Sequence, residues 1–135
     1  MITVLNPGIY TTIQDLGRPG FANIGVPVSG VMDSYSAKIG NQLLNNNLND
    51  AVIEITFGGT KLEFETEMKI CVSGANFSPK INDELIEMNL VIEVEKGEIL
   101  SFGKKIFGVR TYVSVQGGIS SESILKSKSF YKGIT

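Results

Sequence analysis

Apolar and polar residues alternate with a period close to two along most of this chain beyond Ala51. Ile53, Ile55 and Phe57 alternate with Val52, Glu54 and Thr56, and Gly58-Gly59 then turns the chain. Leu62 and Phe64 alternate with Lys61, Glu63 and Glu65. Because successive side chains of a strand point to opposite faces, this period predicts half-buried strands. The run 68–72, largely apolar, reads as a strand buried on both sides. Further strands are expected at 80–81, 84–86, 90–94, 99–102 and 109–115, separated by Asn82-Asp83, Lys96-Gly97 and Gly103-Lys104. Short strands at regular spacing with turn residues between them predict a sandwich or barrel.

The first third of the chain reads differently. Residues 1–5 and 10–13 predict two short strands, joined by the turn signal Asn6-Pro7-Gly8. A long loop follows, to about Met32, and the stretch 8–33 holds five glycines (Gly8, Gly17, Gly20, Gly25, Gly30) and two prolines (Pro19, Pro27). Asp33 then stands as an N-cap whose carboxylate accepts from the free N–H groups of the first turn, with Met32 and Ala37 in staple positions. Ala37, Gly40, Leu43 and Leu44 share one side of the single long helix, about residues 34–45, which ends in Asn45-Asn46-Asn47. The expectation is a mainly β fold with one main α-helix laid across the end of a barrel.

Composition narrows the function. A chain of 135 residues fits one domain, and no apolar run approaches the roughly 18 residues of a membrane span. The N-terminus lacks the basic and apolar regions of a signal peptide. The net charge of −2 is mixed along the chain, with no basic stripe, which argues against nucleic acid. There is no histidine, so Ser-His-Asp and Cys-His catalysis and histidine-ligated zinc are excluded. The single cysteine, Cys71, lies between Ile70 and Val72 and reads as a packed core thiol.

Chemistry must therefore come from carboxylates, arginine, lysine, amides, hydroxyls or backbone N–H groups. Gln14, Asp15 and Arg18 form the sharpest cluster. Arginine offers a planar charged fork for carboxylate or phosphate, Gln an amide donor, and Asp a base or metal ligand. Gly17 and its neighbours let backbone N–H groups approach an anion. From spacing alone an Asp15–Arg18 ion pair pinning a tight turn fits equally well. Ser29, with no histidine partner, reads as an orienting hydroxyl, and Asp33 as a cap first. Ser73-Gly74-Ala75-Asn76 and Gln116-Gly117-Gly118 each end a strand and present backbone donors, as a site or as a turn. Arg110 alternates with apolar residues and faces either a pocket or solvent. No Walker A pattern and no Met-Lys-Met biotin-carrier context occur.

Two long motifs, Thr11-Thr12-Ile13-Gln14-Asp15-Leu16-Gly17-Arg18-Pro19-Gly20 and Gly25-Val26-Pro27-Val28-Ser29-Gly30-Val31-Met32-Asp33, closely resemble the signature of the allophanate hydrolase subunit 2 family, also called the biotin-dependent carboxyltransferase family. The resemblance continues in order through Asn41-Gln42-Leu43-Leu44, Glu54-Ile55-Thr56, Ser73-Gly74-Ala75, Arg110-Thr111-Tyr112 and Gly117-Gly118-Ile119. It implies a cyclophilin-like β-barrel and cytoplasmic work beside a KipI-like (PxpB-like) subunit. In the oxoprolinase members of the family it implies a PxpA-like chain as well.

The function this implies is that of a subunit of a bacterial ATP-dependent 5-oxoprolinase, which opens 5-oxo-L-proline to L-glutamate. ATP, with Mg as a possible companion, would be bound by the assembled complex. The alternatives are the carboxyltransferase component of a urea carboxylase or allophanate hydrolase system, where biotin enters, and a non-catalytic regulator that binds a KipI-like partner. The resemblance raises Gln14, Asp15 and Arg18 above the turn-pinning reading, as the expected catalytic groups. Gly17, Ser29, Asp33, Gly74, Gly117 and Gly118 are expected to line a small amide substrate, with no metal ligands assigned. Family members normally continue past the position of Thr135 into a second lobe. The expected organisation is thus a barrel lobe over 1–119 and an extended tail over 120–135 that begins the connection to that lobe, the isolated chain being inactive.

Overall fold

The computed structural model of the chain describes residues 2–8, 10–14, 34–56, 59–119 and 124–126. Its elements in chain order are β1 (Ile2–Pro7), β2 (Tyr10–Gln14), α1 (Ser34–Leu43), β3 (Val52–Thr56), β4 (Thr60–Phe64), β5 (Met68–Asn76), β6 (Lys80–Ile81), β7 (Glu84–Leu85), β8 (Ile92–Val94), β9 (Ile99–Ser101), β10 (Phe107–Val115) and β11 (Ile124–Lys126). Among the described residues the strands pair into two sheets, ordered β11-β1-β4-β9-β6-β7 and β2-β3-β10-β5-β8. All pairings are antiparallel except β1 with β11. The mainly β expectation holds, with one helix among the described residues, and the two sheets share one hydrophobic core.

The core between the sheets follows the period of two. Ile2, Val4, Leu62, Phe64 and Leu100 from the first sheet meet Ile53, Ile55, Ile70, Val72, Val113 and Val115 from the second. Burying side chains of this size contributes roughly 1.5–3 kcal/mol each relative to leaving them exposed. A buried hydrogen bond of 2.8 Å between the hydroxyls of Thr11 and Thr60 ties β2 to β4 across the layers.

The second face of the β2-β3-β10-β5-β8 sheet is covered by α1, which lies on β10 and β5. Ala37 packs with Val52 and Tyr112, and Gly40 lets the helix approach Ser114 and Cys71. The buried stripe of the helix is Ala37, Gly40, Asn41 and Leu44, while Leu43, expected inward, is 42% exposed. Asn41 takes the inner position because its amide is satisfied there, donating to Leu48 O and Asp50 O at 3.4 and 2.9 Å and accepting from Asn46 Nδ2 at 3.0 Å. The helix ends in the asparagine run, as its composition predicts. Asn45 adopts φ 59°, Asn46 N–H donates to Asn41 O and Asn45 N–H to Gln42 O, the paired bonds of a Schellman motif. The Asp33 cap and the loop before it lie outside the described residues. In the stretch 120–135, residues 124–126 pair with β1. No helix among the described residues is long and apolar enough to cross a membrane.

Candidate functional site

The helix-covered sheet face is polar at one end. Val52, Glu54 and Thr56 leave β3 on the side opposite Ile53 and Ile55, and the register sets Glu54 across from Tyr112 and Thr56 across from Arg110. Alternation alone placed Glu54 on the polar face of a half-buried strand. All five residues of β3 are instead buried, and on this face Val52 packs with Ala37 of α1 and with Tyr112. A buried carboxylate needs compensation, since an isolated charge in a low-dielectric interior is strongly disfavoured. Tyr112, fully buried, donates its hydroxyl to Glu54 Oε2 at 2.9 Å, and Arg110 Nε stands 4.0 Å from Glu54 Oε1. The Glu54 side chain is 4% exposed and that of Arg110 29%, so the pair runs from the interior to the surface.

Local backbone irregularity sets this geometry. Between Phe107 and Thr111, β10 advances four residues while β5 advances two, from Asn76 to Gly74. A bulge of this kind re-aims side chains next to it, here Arg110. On the partner strand Gly74 adopts φ +89°, and a Cβ there would sit 2.8 Å from Arg110 O and 3.1 Å from Tyr112 Cδ2. Gly74 is therefore required by the close approach of Arg110 and Tyr112. Next to it, Ser73 Oγ donates to Ser36 O at 2.7 Å, which seats the first turn of α1 over this end of the sheet. The Thr56 hydroxyl, buried in the same cluster, has no hydrogen-bond partner among the described residues.

The other candidates are described only in part. Gln14 ends β2, its backbone paired with Val52. Asp15, Gly17, Arg18, Ser29 and Asp33 lie outside the described residues. Gly117 and Gly118 turn the chain at the opposite end of β10 from Arg110, with their N–H groups bonded to Asn46 Oδ1 and Val115 O at 2.8 Å each. Gly74 alone of these glycines joins the Glu54 cluster. Cys71 is buried under α1, and burial pushes its thiol up to about 11, which leaves it protonated near neutrality and a poor nucleophile. No cluster of three or more metal-ligating side chains occurs among the described residues. Glu54 and Tyr112 were not singled out as site residues from sequence. Their signal was present in the shared period of Val52-Glu54-Thr56 and Arg110-Tyr112, which sets a carboxylate, a guanidinium and a phenol on facing strands.

Comparison with known proteins agrees with this architecture. The family described as carboxyltransferase domain, subdomain A and B, matches residues 24–133. A urea amidolyase of Lachancea kluyveri is 42% identical over 129 residues, covering 95% of this chain and 7% of that enzyme. A 5-oxoprolinase subunit of Escherichia coli is 32% identical over 129 residues, covering 96% of this chain and 42% of that subunit. The crystal structure of the Kluyveromyces lactis urea amidolyase superposes with a TM-score of 0.78 at 48% identity, over 88% of this chain and 7% of the other. The chain thus spans less than half the length of these relatives. Part of an enzyme is what each of the matched regions forms.

Proposed function

This chain belongs to the carboxyltransferase domain family, subdomains A and B, and on that premise we propose that it forms one wall of an amide-handling site in a multi-subunit enzyme. The substrate proposed is 5-oxo-L-proline. Water adds to the lactam carbonyl carbon, the C–N bond breaks, the nitrogen takes a proton, and L-glutamate leaves, the reaction being coupled to ATP hydrolysis in the assembled complex. Its partners are a KipI/PxpB-like and a PxpA-like subunit, with a second lobe following this one, and its compartment is the cytoplasm. The observation that supports this reading is the cluster of Glu54, Arg110 and Tyr112, a charged fork held at the surface by a buried, hydrogen-bonded carboxylate. Gln14, Asp15 and Arg18 are assigned to the same site as donors to the carbonyl oxygen and as its orienting carboxylate.

A second reading, carboxyl transfer from carboxybiotin to urea, is favoured by the higher identity to the urea amidolyases. The test mixes the full-length protein with its partner subunits, 5-oxoproline and ATP, and follows glutamate. A parallel arm supplies urea and a carboxylated biotin carrier. Glutamate release that is lost in the double variant Asp15→Ala, Arg18→Ala is expected. Robust release in that variant removes those residues from the site, and turnover in the urea arm alone moves the chain to the second reading.

A further inference from the structure

A cavity of about 440 Å³ opens on the outer face of the first sheet, across the core from Glu54 and Tyr112. It is lined by Leu5, Lys61, Asn82, Asp83, Ile99 and Ser101, and its volume is that of a small-molecule site. The strand period builds it. Leu62 and Leu100 point into the core, so Lys61, Ile99 and Ser101 beside them point outward. Register sets Lys61 directly across from Ser101, so the ammonium and the hydroxyl can reach one ligand group. On β1 the pairing with β4 slips between Val4 and Asn6, and Leu5, the extra residue, joins the same cavity. Another wall is the turn between β6 and β7, where Asn82 and Asp83 take φ 48° and 71°, the left-handed pair of a type I′ hairpin. Asn82 N–H donates to Ile99 O and Ile99 N–H donates to Asn82 Oδ1, each at 3.0 Å, so the turn is clamped to β9.

We propose that this cavity binds a small zwitterion, a free amino acid with an apolar side chain, its carboxylate on Lys61 and Ser101 and its ammonium on Asp83. The site stands apart from the Glu54 cluster and does not rest on the oxoprolinase reading. The side chains of Lys61, Asp83 and Ser101 have no hydrogen-bond or ion-pair partner among the described residues. Two opposite charges that line one cavity without pairing leave both to a ligand, and each can make a charge-assisted hydrogen bond. They also select its class. A plain anion drawn to Lys61 meets Asp83, and a plain cation drawn to Asp83 meets Lys61, whereas a dipolar ligand is favoured at both ends. Leu5 and Ile99, both half-buried, supply the apolar surface that the ligand's side chain covers. Glu63 and Lys80, cross-strand from Ile99 and Ser101, lie outside the lining and carry one charge of each sign, so they leave this balance unchanged.

Titration calorimetry of the full-length protein with L-leucine, isocaproate and isoamylamine tests this. Isocaproate keeps the leucine side chain and carboxylate without the amine; isoamylamine keeps the side chain and amine without the carboxylate. L-Leucine is expected to bind saturably, and each half-ligand about tenfold more weakly or worse, as loss of one hydrogen bond to a charged group predicts. Lys61→Gln should weaken L-leucine by a similar factor and leave isoamylamine unchanged or tighter. Asp83→Asn should weaken L-leucine likewise and leave isocaproate unchanged or tighter. This crossed pattern is one that a general loss of structure would not produce. Both positions are exposed, and asparagine tolerates the left-handed conformation of the turn, so the thermal midpoints should match wild type. Absence of saturable L-leucine binding overturns the proposal. So does isocaproate binding as tightly as L-leucine, which would make this a plain anion site. Unchanged L-leucine affinity in either variant overturns it as well, because the binding would then lie elsewhere.

Discussion

Replacing Gly40 by alanine tests how α1 is seated on the sheet, and with it the cover over Tyr112. A Cβ at position 40 would overlap Ser114 Oγ and come within 2.9 Å of Ser114 Cβ, while its contact to Cys71 Cβ at 3.6 Å would be ordinary. Overpacking of this kind destabilises by roughly 1–3 kcal/mol, and alanine recovers about 1 kcal/mol over glycine in a helix interior. The net expectation is a loss of up to about 2 kcal/mol. Ser114→Gly removes both offending atoms, so in that background the same change should stabilise by about 1 kcal/mol, a coupling of about 1–3 kcal/mol. Ser114→Ala separates the two contacts, since it removes a hydroxyl that has no partner among the described residues but keeps the Cβ at 2.9 Å. Alone it should be neutral or slightly stabilising; with Gly40→Ala it should rescue only in part. Urea unfolding followed by circular dichroism gives each value from the midpoint at constant slope, with slopes of about 1–3 kcal/mol per molar expected. If Gly40→Ala raises the midpoint above wild type, or the double variant shows no coupling to Ser114, the close packing of α1 on β10 is refuted.

Further outcomes follow from the same contacts. Gly74→Ala should lose about 1–3 kcal/mol more than Gly97→Ala, because both glycines have φ near +90° but only Gly74 faces crowding, from Arg110 O and Tyr112; urea midpoints of the two variants compare them. Asn46→Ala removes bonds to Asn41 Oδ1, Val115 O and Gly117 N and should cost about 2–3 kcal/mol in the same assay, while an Asn47→Ala control stays within about 0.5 kcal/mol. The Cys71 thiol, raised by burial from 9.0 to about 11, keeps its proton in the folded state at pH values where the unfolded chain has lost it. Its contribution is therefore constant below about pH 9 and is lost as pH rises to about 11, a decline of roughly 2–3 kcal/mol that a pH series of unfolding curves would record and that Cys71→Ala should remove. At pH 8 a thiol reagent should label Cys71 only after unfolding.

The strands at Val52–Thr56 and Thr60–Phe64 were legible because their period and the Gly58-Gly59 turn are local signals. So was the end of α1, where Asn45 can take the left-handed conformation that the motif needs. What sequence could not give was the identity of the cover on each face. Alternation says that Glu54 and Ile55 point opposite ways, but only tertiary packing, such as that of Tyr112 on Glu54, decides that both are buried. The exchange of Asn41 for Leu43 in the helix stripe has the same origin, since an asparagine is buried only where carbonyls such as Asp50 O await it. The bulge in β10 was invisible for another reason: it is a property of the pairing with β5. The cluster of Gln14, Asp15 and Arg18 was read as chemistry from residue type and motif alone, and Asp15 and Arg18 lie outside the described residues.

These two kinds of information meet at Glu54. A motif search weights residues by type and spacing in one segment, so it finds Gln14, Asp15 and Arg18 together and passes over a lone Glu in a strand. A carboxylate that is 4% exposed, bonded to a buried phenol and set beside the guanidinium of a bulged strand is made from two segments distant in sequence. Each part is ordinary where it stands; the combination exists only because β3 and β10 are neighbours with Glu54 and Tyr112 in register. Sites on rigid strands hold their geometry better than sites on loops. Under the proposed function, the division of labour to test is that the strand cluster binds the substrate while Asp15 acts on the bond to be broken. Under that division, Glu54→Gln should shift substrate affinity more than turnover, and Asp15→Ala turnover more than affinity. Steady-state kinetics of the assembled enzyme would show the reverse pattern if the strands carried the chemistry.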